Sequence, residues 1–203
     1  MHHGFEEVLA PNLYYDRHFE MDAVKILPGE YYVSTREILM VTVLGSCVGA
    51  CIRARIRGIG GINHFMLPDD KRDENERFSR SMRYGDYAME ILINQLIKLG
   101  ARRSNLEAKV FGGGNVLPGF KNHIVGDRNA QFVLDYLTTE GIPVVAKDLL
   151  GNYPRKVYFF PTSGRVLVKK LRSMHNDTII ERELSYSETL RRAKVEGEVE
   201  LFS

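Results

Sequence analysis

Cys47 lies in TVLGSCVGACI, residues 42–52, where an apolar run is interrupted by glycines and a serine. A cysteine in that setting has two readings. Free cysteine is among the most buried residue types, so it can be a small core residue. It can equally be a nucleophile, for three reasons. Gly45 and Ser46 break the β-branched run just before it, where backbone can turn sharply. On an unbroken strand Cys47 shares parity with Arg53 and Arg55, and a positive field lowers a thiol pKa toward thiolate. His64 follows 17 residues later on the next expected strand, close enough in the fold to act as general base. Backbone N–H groups around Gly45, Ser46 and Cys47 would then be placed to stabilise an oxyanion.

The other chemistry-bearing residues resolve differently. Cys51 shares the parity of Cys47 and reads as a packing residue. A metal set of Cys47, Cys51 and His64 is disfavoured. Two cysteines four apart on a strand span too far, and a second ligand pair is missing, so no metal and no cofactor is expected. FGGGN, residues 111–115, lacks the Lys-Ser/Thr of a phosphate loop and is read as close backbone packing. Arg128 in GDRN is read as a surface arginine, with binding of an acidic group as its other reading.

These residues need elements to position them. REILMVTVL reads as a core strand. VGACIRARIR alternates, with Val48, Ala50, Ile52, Ala54 and Ile56 on a dry face and Arg53, Arg55 and Arg57 on a wet one. GIGGINHFMLPDD is its hairpin partner, and KRDENERFSRS a charged loop. A helix follows in RYGDYAMEILINQLIKLGA, with Tyr84, Tyr87, Ala88, Ile91, Leu92, Leu96 and Leu99 at helical spacing and Gly100 past its end. GDRNAQFVLDYLTTEG is a second helix with Asp127 as a candidate N-cap. IPVVAKDLL is a strand, and KVYFF-PTSG-RVLVKKL a hairpin around Gly164. Beyond Leu171 the chain turns charged and reads as a short helix or a tail. The order is mixed α and β in one domain.

Composition narrows the class. A net charge of +2 gives no nucleic-acid footprint. The most apolar run, residues 38–52, is shorter than the ~20 residues of a membrane-spanning helix, so no membrane insertion is expected. With two cysteines and no secretory leader visible, the expected compartment is reducing and cytoplasmic.

Taken together, TVLGSCVGACI, GGINHFMLPD, YAMEILINQLIKLGA, VFGGGNVLPGF, VGDRNAQFVLDYLTTEGIPVVAKDLLG and RKVYFFPTSGRVLVKKL resemble CheD, the chemoreceptor glutamine deamidase family of bacterial chemotaxis. The resemblance implies an N-terminal arm at 1–24, a CheD-like domain at 25–171 and a charged C-terminal tail at 172–203. It implies an α+β fold, a β-sandwich core flanked by a few helices, similar to the catalytic domain of cytotoxic necrotizing factor. It assigns Cys47 as nucleophile and His64 as the catalytic histidine, with Thr42 as the third catalytic residue. The family's threonine lies six residues before the cysteine, whereas Thr42 lies five before Cys47. Five apart puts two side chains on opposite faces of a strand. So either the backbone bulges at Gly45-Ser46, or Thr42 does not orient His64.

The substrate implied is a glutamine side chain of a methyl-accepting chemotaxis receptor, deamidated through a cysteine thioester. An alternative of another class is a docking module that binds receptors or a CheC-type phosphatase. A cysteine protease would use the same two residues and differ in the bond cleaved.

Overall fold

The computed structural model describes residues 8–68, 74–116, 124–171 and 177–192. Among the described residues eleven strands form two mixed sheets. In chain order they are β1 (Val8–Leu9), β2 (Asn12–Asp16), β3 (Met21–Lys25), β4 (Glu30–Ser34), β5 (Leu39–Leu44), β6 (Val48–Ala54), β7 (Ile59–His64), β8 (Leu106–Gly112), β9 (Val144–Leu149), β10 (Arg155–Phe160) and β11 (Arg165–Lys170). Three α-helices of the described residues accompany them: α1 (Glu74–Lys98), α2 (Ile124–Thr139) and α3 (Asp177–Arg192). One sheet has the order β1-β4-β7-β6-β8-β9, the other β11-β10-β5-β3-β2. Sheet packed on sheet with helices outside is the expected α+β arrangement.

Alternation along β5 shows how the layers are assigned. Leu39 and Val41 join a small cluster with Ala23 and Phe160 on one face of their sheet. Met40 and Leu44 point the other way, into the main core. Thr42 has the parity of Met40 and Leu44, so its hydroxyl is delivered to the interior. Helices α1 and α2 pack on the six-stranded sheet, against β4, β6, β7 and β8.

Several sequence expectations change here. β6 is dry on both faces from Val48 to Ile52: Gly49 and Cys51 are buried as fully as Val48, Ala50 and Ile52, because helices cover one side of the sheet and the second sheet covers the other, and only near the end of the strand is Arg53 half-buried. Ile56 leaves the strand in a turn and is 76% exposed. The charged segment read as a loop is helical from Glu74 onward. On α1, Tyr84, Ala88, Met89, Leu92, Ile93 and Leu96 form the buried stripe, while Tyr87 and Leu99 sit at its edge and are exposed. Asp127 lies within the first turn of α2 rather than capping it, since the helix starts at Ile124. The segment read as an arm supplies β1, β2 and most of β3, because Ala23 and Val24 bury against both cores. Within the segment read as a tail, α3 docks on the domain through a buried Glu183 and Leu190. Among the described residues no helix is long and apolar enough to cross a membrane.

Candidate active site

The site is built where the chain passes from one sheet to the other. β5 ends at Leu44 and β6 begins at Val48, so Gly45, Ser46 and Cys47 form a turn belonging to neither sheet. Strand parity therefore does not run from Thr42 to Cys47, and the five-residue spacing is no obstacle to their meeting.

The turn is held from its carbonyl side. Gly113 N–H donates to the Cys47 carbonyl at 2.8 Å and Gly114 N–H to that of Gly45 at 2.7 Å. Asn129 Nδ2 donates to the Ser46 carbonyl at 2.8 Å. The Gly45 and Ser46 carbonyls are thus engaged on one side, and across their planar trans peptides the N–H groups of Ser46 and Cys47 point to the other, where with the Gly45 N–H they form one row of donors. The FGGGN run is what permits this closeness. Gly112 has a φ of 111°, and a Cβ there would lie 2.1 Å from the Cys47 oxygen. The buried guanidinium of Arg155 fixes the same segment through the Gly112 carbonyl at 2.7 Å. Asn129 also accepts from Leu67 N–H at 2.9 Å, so one side chain ties the cysteine turn to the segment just after His64.

His64 ends β7. Val48 and Phe65 exchange two backbone hydrogen bonds of 2.9 Å, which brings the start of β6 and the end of β7 together beside Cys47. Thr42 Oγ1 lies 2.8 Å from His64 Nδ1 and donates to the Ile26 carbonyl at 2.8 Å. Counting protons settles the tautomer. The hydroxyl has one hydrogen and gives it to Ile26, so it accepts from Nδ1–H. The lone pair is then on Nε2, which is buried and has no hydrogen-bond partner among the described residues. One of the His64 ring nitrogens, the Cys47 sulfur and a Glu183 carboxylate oxygen all lie within 4.8 Å of one another.

Glu183 of α3 occupies the row of donors. Its Oε1 accepts from Gly45 N–H at 2.9 Å and Cys47 N–H at 3.1 Å. Its Oε2 accepts from Ser46 N–H at 2.9 Å and from Ser46 Oγ at 2.6 Å. Cys47, His64 and Glu183 are the residues here that could also hold a metal. Four donors already saturate the carboxylate, which marks the seat as one for an anion.

The field around Cys47 differs from the sequence expectation. Arg53 is engaged with Glu107 at 3.0 Å, and the nearest charge to the thiol is the Glu183 carboxylate. Burial, then that carboxylate, push the Cys47 thiol well above its ordinary pKa. Burial lowers His64 to about 3. Thiol and imidazole are therefore both neutral with α3 in place. Cys51 is buried in the main core and its thiol is raised by desolvation, the packing role expected of it. Arg128 lines a separate groove with Asp86, Glu90 and Tyr136.

A pH dependence of stability follows. A histidine whose folded pKa is below its unfolded 6.5 binds a proton in the unfolded chain first. Stability is thus full above about pH 6.5 and falls as the solution is acidified toward pH 3. In urea unfolding between pH 7 and pH 4, His64→Asn is expected to remove up to ~1.4 kcal/mol per pH unit from the slope over this window. An unchanged slope would show that His64 is protonated in the folded protein.

Glu183 and Asn129 were not anticipated from sequence. Asn129 carried one signal, an amide in a helix interior, where it is a poor helix former. Glu183 carried only the helical spacing of Ile179, Tyr186 and Leu190 around it.

Comparison with known proteins bears on this arrangement. A family profile described as CheD chemotactic sensory transduction matches residues 66–170. The chain is 62% identical over 202 residues, covering 100% of both chains, to a Thiobacillus denitrificans protein named "Probable chemoreceptor glutamine deamidase CheD". It is 61% identical over 202 residues to a Dechloromonas aromatica protein named "Probable chemoreceptor glutamine deamidase CheD 1", again covering 100% of both. It is 62% identical over 203 residues to the similarly named protein of Methylobacillus flagellatus.

Proposed function

The chain belongs to the CheD family, and on that premise we propose that it deamidates glutamine side chains of chemoreceptors in the cytoplasm, with Cys47 as nucleophile. The observation that supports this most is the row of N–H donors at Gly45, Ser46 and Cys47, converging on a carboxylate beside the thiol and the imidazole. A glutamine side chain that enters the row puts its carbonyl oxygen where Glu183 Oε1 now lies, between the N–H groups of Gly45 and Cys47.

The steps then follow from the groups present. His64 Nε2 takes the Cys47 proton, and the thiolate attacks the carboxamide carbon. The oxygen becomes an oxyanion held by two backbone donors, an interaction of roughly 3–4 kcal/mol in comparable sites. His64 returns the proton to the departing nitrogen, so that ammonia rather than amide ion leaves. Water, deprotonated by the same Nε2, hydrolyses the thioester to glutamate. Thr42 acts on His64 rather than on substrate: by accepting from Nδ1–H it keeps the lone pair on Nε2 and stabilises the imidazolium that forms.

The test uses a cytoplasmic receptor fragment incubated with the protein in heavy-oxygen water. Each modified glutamine is expected to gain one heavy oxygen, with ammonia released in equal amount and the backbone intact. Cut peptides would make the protein a protease. Binding without ammonia would make it a docking module.

A further inference from the structure

We propose that α3 occupies the seat of the substrate helix, with the Glu183 carboxylate in the place of the reacting side chain, so that the chain carries its own product-like competitor. The proposal rests on the deamidase reading above. Deamidation of glutamine yields a glutamate side chain, and a glutamate side chain is what fills the donor row. The match is chemical as well as positional. An anion needs donors only, and Oε1 and Oε2 each meet two. A carboxamide in the same pose would turn its NH2 toward Ser46 N–H, donor against donor. The row therefore holds the product form more tightly than the substrate form.

The rest of α3 is seated as a ligand helix would be. Ile179, Glu183, Tyr186 and Leu190 follow one another at helical spacing, so they share a face. Glu183 is 1% exposed and Leu190 4%, while Glu181, Ser185 and Glu188 face outward. Two glycines make room for the occupant. A Cβ on Gly45 would lie 2.9 Å from both Glu183 carboxylate oxygens, and one on Gly29 would lie 2.9 Å from the Tyr186 ring. The Tyr186 hydroxyl meets that of Tyr84 on α1. Beside Glu183, a cavity of about 400 Å³ reaches His64 and Thr42 between Ile26 and the α3 residues Ile179 and Arg182. α3 thus roofs one side of the cleft that leads to the base.

The electrostatics agree with a resting state. The docked carboxylate and the loss of water disfavour the thiolate, and burial disfavours the imidazolium. Undocking α3 removes the negative charge and admits water, so the two pKa values move toward each other and proton transfer from Cys47 to His64 becomes feasible. Release is within reach because a helix of 16 residues is marginal by itself. Tethering keeps it competitive: a short connection gives a local concentration on the order of millimolar, which a receptor helix must displace.

The test compares the full-length protein with Glu183→Ala and, as a second way to undock the helix without touching the donor row, Leu190→Asp. Two rates are read: alkylation of Cys47 by iodoacetamide, located by peptide mass mapping, and ammonia release from a receptor fragment at low concentration. Both variants are expected to raise both rates by ~10-fold or more, whereas Glu188→Ala on the outer face leaves them unchanged. A synthetic peptide of residues 177–192 added to Glu183→Ala should restore protection of Cys47, and the same peptide carrying the substitution should not. Alkylation unchanged in both variants overturns the proposal. So does faster alkylation with ammonia release equal to or below that of the parent, since Glu183 would then not compete with substrate. Faster alkylation with no ammonia from any form, parent included, places the failure in the deamidase reading and leaves α3 as the element that closes the cysteine.

Discussion

Cys47→Ala is expected to abolish ammonia release, by ~10⁴-fold or more, while receptor binding stays within about twofold. The loss is large because removal of a nucleophile deletes the covalent route, not one contact in it. The donors at Gly45 and Cys47 are backbone groups, so they survive the substitution and the variant keeps the means to hold the reacting side chain. The sulfur is fully buried, so folding loses only a small packing contribution, on the order of 1 kcal/mol. Ammonia release and a receptor pull-down on the same preparation decide the matter. If binding is lost along with activity while the thermal transition is unchanged, Cys47 shapes the receptor-binding surface. If ammonia is still released, another group is the nucleophile.

His64→Asn is expected to be nearly as damaging, with turnover down ~10³-fold or more and no acyl-enzyme formed. The amide can still donate to Thr42 Oγ1, so the local hydrogen bonding at Nδ1 is partly replaced, but no lone pair of suitable basicity faces the thiol. In the proposed mechanism the same imidazole both activates Cys47 and protonates the departing nitrogen, so the first step is expected to be lost together with the second. Intact mass spectrometry after mixing with receptor fragment should show no adduct on Cys47. An adduct that builds up at the normal rate would restrict His64 to hydrolysis of the thioester. Thr42→Val belongs to the same series and should cost less, since it removes the orienting acceptor but leaves the base. It leaves Nδ1–H and the Ile26 carbonyl without their hydroxyl partner, so a fall in melting temperature is expected beside the fall in rate. Thr42→Ser, which keeps the hydroxyl, should recover both.

With α3 seated in the row, these rates also depend on how often the helix leaves. On the proposal that α3 is a product-like occupant, it would keep the buried cysteine from indiscriminate attack on exposed amides. A receptor helix that can replace α3 contact for contact is rewarded, and an isolated glutamine is not.

Much of the candidate site was readable along the chain. Cys47 stood out because Gly45 and Ser46 interrupt a β-branched run, and local sequence is sufficient to show a turn in a strand. His64 stood out because it closes an alternating hairpin partner of the strand after Cys47. The helices α1 and α2, the hairpin β10–β11 and the close-packing role of Gly112, Gly113 and Gly114 follow from periodicity and glycine chemistry, which are short-range properties. Tertiary structure alone decided the rest. Parity counting from Thr42 to Cys47 fails because the chain changes sheets between Leu44 and Val48, and no residue-by-residue rule reports which sheet a strand joins. For the same reason the parity of Arg53 does not extend to Cys47, and the charge that acts on the thiol comes from 136 positions further along the chain. Glu183 in sequence is one acid among many in a charged segment. Only the docking of α3 buries it, and only burial among four donors gives that carboxylate a role at the cysteine.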